Sequence, residues 1–90
     1  MFEEQPGWGA DRRPYDFLAL GAAVAEARHR AGLSLRELAE RSGVVEPELR
    51  SIERGGTAGD LEVLHAVAHV LGVGFGALIS AGDVPSGESL

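Results

Sequence analysis

The chain is 90 residues long, 44% hydrophobic and 24% charged, with 14 acids against eight arginines and no lysine, for a net charge of -6. That length suits one small domain and not two, and the absence of cysteine excludes disulfides, thiolate metal sites and a thiol nucleophile. No apolar run reaches the roughly 18 to 20 residues of a membrane span, and the start of the chain lacks the charged-then-apolar pattern of a signal peptide, so a soluble, cytoplasmic protein with no membrane partner is expected.

The sign of the charge opposes binding to nucleic acid by bulk electrostatics. Its distribution softens the point, because residues 16–80 carry only -3 and the two ends carry the rest. Arginine as the sole strong base suits two-pronged contacts to phosphate or guanine, but genomic base composition produces the same bias and is the preferred explanation.

Residues 1–15 hold Pro6, Pro14, Gly7 and Gly9 with no helical or strand period, so an irregular N-terminal arm is expected. Four of the five aromatic residues (Phe2, Trp8, Tyr15 and Phe17) fall in or beside it. An arm folded back on the core is favoured over one docked on a partner subunit. Asp16 then opens a first helix as its cap, with Phe17, Leu20, Gly21, Val24, Ala27, Arg28 and Ala31 sharing one face, and Gly32 stops it.

Ser34 and Glu37 have the spacing of a capping box for a second helix, with Leu35, Leu38 and Ala39 facing inward and Gly43 ending it. A third helix opens near Val45, with Pro47 tolerated in the first turn. Leu49 and Ile52 face its core, while Glu46, Pro47, Arg50 and Ser51 share the other side. After Gly55 and Gly56, Asp60 caps a fourth helix to about Leu71, with Leu61, Leu64, Val67, Ala68 and Leu71 buried. Gly72 breaks it, and Phe75, Leu78 and Ile79 make a short fifth helix. The organisation read from the chain is an arm at 1–15, an all-α five-helix domain at 16–80 and a frayed tail at 81–90.

The ordered set Leu20-Gly21, Gly32-Leu33-Ser34, Leu38-Ala39, Gly43-Val44, Ile52-Glu53-Arg54-Gly55 and Leu71-Gly72-Val73 resembles the Cro/cI-type, lambda-repressor-like helix-turn-helix family of regulators, also called the xenobiotic-response-element family. The resemblance runs through LGAAVAEARHRAGLS, LAERSGV, LRSIERG and LEVLHAVAHVLGV, or roughly Leu20 to Ile79, with the helix-turn-helix at the second and third helices. It implies a structural ion pair between Arg28 and Glu53. It also implies a transcriptional regulator, a repressor that binds double-stranded DNA at a pseudo-palindromic operator as a homodimer, with half-sites about 34 to 36 Å apart. By position, Val45, Glu46, Pro47, Arg50 and Ser51 would face bases, and Ser34, Arg54, Gly55, Gly56 and Thr57 would lie near phosphates. Arg50 can donate to guanine, and Glu46 or Glu48 can accept from cytosine N4.

The chain departs from that family at the reading face. Leu35 stands where relatives often carry glutamine, and Val45, Glu46, Pro47 and Glu48 stand where they often carry serine followed by arginine, glutamine or threonine. The acids favour the helix start on their own account, by about 0.3 to 1 kcal/mol each, yet they oppose phosphate contact. The alternative function is therefore a protein–protein interaction module of the same fold that meets a basic partner through an acidic third helix.

His65 and His69 have the spacing of two ligands on one metal, with Glu62 the nearest third group, but exposed histidines with no metal role are preferred. His29, near the end of the first helix, suits the helix dipole. Neither a cofactor nor a small-molecule effector is evident. No activated nucleophile, glycine-rich phosphate loop or convergent acid–base set is visible, so no enzyme is expected. Val63, Ala66 and Val70 form an apolar face of the fourth helix that suits either a dimer contact, made together with the aromatic arm, or packing beneath the fifth helix or the tail.

Overall fold

The computed structural model describes residues 15–83, which form five helices: α1 (Phe17–Arg30), α2 (Leu35–Ser42), α3 (Glu46–Glu53), α4 (Leu61–Leu71) and α5 (Phe75–Ser80). α1, α2 and α4 each start where a side chain satisfies an otherwise unpartnered first-turn amide. Asp16 accepts from Ala19 N–H at 3.0 Å, and Asp60 accepts from Val63 N–H at 2.9 Å. The capping box of α2 is complete, with Glu37 N–H donating to Ser34 Oγ at 3.0 Å and Ser34 N–H donating to Glu37 Oε1 at 2.8 Å.

One core joins these pieces. Leu20, Val24, Leu38, Leu49, Ile52 and Val67 are its largest fully buried side chains, contributed by α1, α2, α3 and α4. α1 lies against α3 and α5, α2 against α3 and α4, and α4 against α5. The short α3 is thereby held from two sides, and only its remaining face is open to solvent.

The two ends of the helical unit are tied together. Tyr15 Oη donates to the Ile79 carbonyl at 2.5 Å, and Asp16 N–H donates to the Gly82 carbonyl at 2.7 Å. Gly82 packs directly on the Tyr15 ring, where a Cβ would have no room. Residues 1–14 and 84–90 lie outside the described residues, and so do the two readings of the aromatic arm apart from Tyr15.

Two apolar positions differ from the helical pattern in the sequence. Phe17 is 41% exposed and Leu61 is 66% exposed, although the spacing places both on buried stripes. Each is the first residue of its helix, and helical side chains lean toward the N-terminus, so these two project past the packed turn. Phe17 instead meets the Tyr15 ring, with centroids 5.4 Å apart. Ala31, placed on the same face, is the exposed cap residue after α1.

On the apolar face of α4, Val63, Ala66 and Val70 are all half-buried, and Val63 and Val70 pack against the core. His65 and His69 are both exposed, and His65 stacks on Phe75 of α5 with centroids 3.8 Å apart and planes 9° from parallel. Among the described residues there is no cluster of three potential metal ligands.

Candidate nucleic-acid interface

Backbone geometry sets the turn between α2 and α3. Gly43 takes φ +78°, a left-handed conformation that side chains with a Cβ rarely adopt, and its N–H donates to the Ala39 carbonyl to close α2. Val44 N–H then donates to Ser42 Oγ at 3.2 Å, and the buried Val44 side chain anchors the turn in the core. Val45, extended and 64% exposed, precedes α3 as its cap residue with no side-chain cap hydrogen bond.

From α1, two features set the position of α3. Arg28 reaches across to Glu53 with a forked contact, Nε to Oε2 at 2.7 Å and Nη2 to Oε1 at 2.9 Å, while Nη1 donates to the Leu33 carbonyl at 3.0 Å. Both side chains are largely buried, 11% and 10% exposed. The Glu53 hydrogen bond outweighs desolvation and holds the Arg28 guanidinium above its already high ordinary range. Gly21 is the second feature: a Cβ there would lie 2.3 Å from the Ile52 carbonyl oxygen. α1 and α3 therefore touch backbone to side chain-free backbone.

With Leu49 and Ile52 turned inward, Pro47, Arg50 and Arg54 lie exposed on the outer side of α3, and Ser51 is half-buried beside them. Ser51 Oγ sits where a Gly56 Cβ would press at 2.9 Å. The backbone amides of Gly55 and Gly56 are already engaged, donating to the carbonyls of Ile52 at 3.0 Å and Ser51 at 2.9 Å. Thr57 Oγ1 accepts from Gly59 N–H at 3.0 Å, which leaves the hydroxyl hydrogen available. Ser34 lies at the exposed start of α2, with its hydroxyl oxygen accepting from Glu37 N–H.

The two acids that open α3 do not behave alike. Glu48 is half-buried, with its carboxylate beside Gly59, 3.4 Å from where a Cβ would stand, so it turns toward the α3–α4 loop. Glu46 stays with the outer face and binds Arg50, with Nη2 to Oε2 at 2.7 Å. The expectation from sequence is a separate base contact for each of Glu46 and Arg50, and the structure instead joins them. The signal was present, because a glutamate four residues before an arginine on one helix is the favoured order for such a pair. Among the described residues no carboxylate pairs with Arg54.

A family model described as a helix-turn-helix domain matches residues 19–81. No curated protein matches the chain. Among solved structures, it is similar to the clp gene regulator ClgR from Corynebacterium glutamicum, at 37% identity and a TM-score of 0.69, over 79% of this chain and 76% of that one. The restriction-modification controller protein C.AhdI from Aeromonas hydrophila matches at 28% identity and a TM-score of 0.67, over 70% of this chain and 96% of that one. The biofilm master regulator SinR, solved in complex with DNA, matches at 36% identity and a TM-score of 0.64, over 67% of this chain and 97% of that one. With α2, the Gly43 turn and α3 in the arrangement described, the chain belongs to the helix-turn-helix domain family, and its all-α fold is the lambda-repressor-like fold of Cro/cI-type transcriptional regulators.

Proposed function

We propose that the protein is a sequence-specific DNA-binding transcriptional regulator and not an enzyme, acting as a repressor on a pseudo-palindromic operator that it binds as a homodimer. The observation that carries this reading is the outer face of α3, with Pro47, Arg50 and Arg54 exposed on a helix pinned to α1 by Arg28 and Glu53. Arg50 and Ser51, with Val45, Glu46 and Pro47 at the helix start, meet base edges in the major groove. Ser34, Arg54 and Thr57 meet phosphates through a hydroxyl or guanidinium donor, and Gly55 and Gly56 shape the loop that carries Thr57. Two copies are required to span two half-sites about 34 to 36 Å apart.

A titration against pooled random duplexes at several salt concentrations, alongside a measurement of oligomeric state, tests this. Specific enrichment with a salt slope of several units by a dimer is the expected result. No enrichment at low salt would overturn it.

A second reading, a protein–protein interaction module of the same fold that meets a basic partner, is favoured by one observation: Glu46 neutralises Arg50 on the outer face of α3. SinR was also solved in complex with SinI, and that structure is 33% identical with a TM-score of 0.66. Flat DNA titrations together with stable binding of a basic protein would select this reading.

A further inference from the structure

We propose that Glu46 and Arg50 act as one reading unit for a single G·C base pair, in which Glu46 takes the cytosine amino group while it holds Arg50 on the guanine. The inference rests on the DNA-binding reading above and names what one part of that face recognises. It starts from the hydrogen bond between Arg50 Nη2 and Glu46 Oε2 at 2.7 Å, on side chains that are 47% and 37% exposed.

The donor count permits it. A guanidinium presents five N–H bonds, and Nη2 carries two of them. One hydrogen goes to Glu46. Whichever one it is, the other completes a two-pronged edge, either with Nη1 or with Nε. Arg50 therefore keeps the fork that matches guanine N7 and O6 while it stays bound to Glu46. The carboxylate of Glu46 has two oxygens and about four acceptor sites, of which Arg50 fills one.

The result is a row of two donors followed by an acceptor. Across the major-groove edge, a G·C pair offers two acceptors on guanine followed by the N4 amino donor of cytosine. An A·T pair at that position would place thymine O4, an acceptor, and a methyl group against the carboxylate. A reversed C·G pair would place acceptors there. Both of these pairs leave Glu46 desolvated without a donor, so the acid works as a rejecting element as well as a support for Arg50. A T·A pair keeps an amino donor there in adenine N6 and is rejected by Arg50, which then meets only thymine O4 and a methyl group. The same charge opposes phosphates on sequences that lack this pair, which lowers non-specific binding. A carboxylate on a DNA-facing helix, otherwise a liability, thereby contributes discrimination.

The test uses the full chain and the duplex enriched from a random pool. At the position whose preference Arg50→Ala relaxes, the cytosine is replaced by pyrimidin-2-one, which lacks the exocyclic amino group, and binding is measured for the parent and for Glu46→Ala. The expected result is a loss of about tenfold for the parent and little or none for Glu46→Ala, with Glu46→Ala also binding non-specific duplexes more tightly than the parent. Equal losses for both proteins, or no loss for either, would overturn the proposal while leaving DNA binding intact. A parent that enriches no sequence at all would overturn the DNA-binding reading and this inference with it.

Discussion

Arg28 and Glu53 join the first and third helices through two parallel hydrogen bonds of 2.7 and 2.9 Å, and the same guanidinium holds the Leu33 carbonyl at 3.0 Å. One side chain thus fixes the end of α3, the segment entering α2 and its own helix. Removing either partner leaves a largely buried charge without its counterion, so Glu53→Ala and Arg28→Ala should each cost about 3 to 5 kcal/mol. The double variant Arg28→Met with Glu53→Leu should recover much of that loss, because it removes both desolvation penalties together. Urea unfolding midpoints of the four proteins check this, and a double variant as unstable as the worse single variant would refute the ion-pair account.

Gly21 and Gly76 are both helical glycines, and Ala substitution should move them in opposite directions. A Cβ at Gly21 would lie 2.3 Å from the Ile52 carbonyl oxygen, against backbone that cannot yield, whereas a Cβ at Gly76 meets nothing within 4 Å. Gly76→Ala should therefore stabilise by about 0.5 to 1 kcal/mol through the lower entropy of the unfolded chain. Gly21→Ala should destabilise by about 1 to 3 kcal/mol, since overpacking outweighs the same helix-propensity gain. Thermal unfolding of the two variants gives the signs directly.

These contrasts mark what the chain order reveals. Capping by Asp16, Ser34 and Asp60 is written in local spacing, and so is the Gly43 turn, because each depends on residues within one turn of each other. The period of three and four that places Leu20 and Val24 in the core misplaces Phe17 and Leu61, since a first-turn side chain in register with the stripe still leans beyond the body it should pack on. The stack of His65 on Phe75 depends on how the Gly72 turn returns the chain, which residue type and spacing do not encode. At the candidate interface, helix phase makes Arg50 legible as an outward residue, and the spacing of four residues permits its attachment to Glu46 without requiring it. The opposite leaning of Glu48 follows from helix phase combined with the position of the loop at Gly59, and only the second of these requires the fold.

Acid should weaken the start of α2 through a defined pair of groups. The backbone N–H and then the side chain of Ser34, followed by Arg41, hold the Glu37 carboxyl below its ordinary range. A carboxylate whose folded-state value is depressed contributes stability that is present above its unfolded value. That contribution is lost as pH falls through the folded one. Ser34→Ala should cost about 1 kcal/mol at neutral pH through loss of the cap. It should also shrink the acid-side drop in stability, because Glu37 then titrates closer to its unfolded value. Unfolding curves for the parent and for Ser34→Ala from neutral pH into the acid limb test both statements.

At the other pH extreme, Tyr15 sets the expectation. Burial first, and the Asp83 carboxylate second, push its phenol above its ordinary value. A raised folded-state value means stability that is whole below the unfolded value of about 10 and falls as pH rises through the folded one. Tyr15→Phe keeps the ring against Gly82, removes the hydrogen bond to Ile79 and abolishes this titration. It should lower stability by about 0.5 to 1.5 kcal/mol at neutral pH and flatten the alkaline decline, as followed by unfolding above pH 9 to 11 or so.

Arg54 and Arg50 leave α3 on the same side but should fail differently. Arg54 caps the helix, is exposed and pairs with no described carboxylate, so its charge is available to a phosphate. Each phosphate neutralised by a cation contributes about 0.9 to the slope of log K against log salt, independent of sequence. Arg54→Ala should then weaken every duplex alike and reduce the slope by about one. Arg50→Ala should cost about 1 to 3 kcal/mol only on duplexes carrying the preferred base at one position, if that guanidinium reads a base edge as proposed. Its effect on the slope should be smaller than that of Arg54→Ala, because Glu46 already balances the charge of Arg50 in the unbound protein. If the two variants lose affinity in the same pattern, the division of α3 into a base-reading residue and a phosphate-holding residue is wrong.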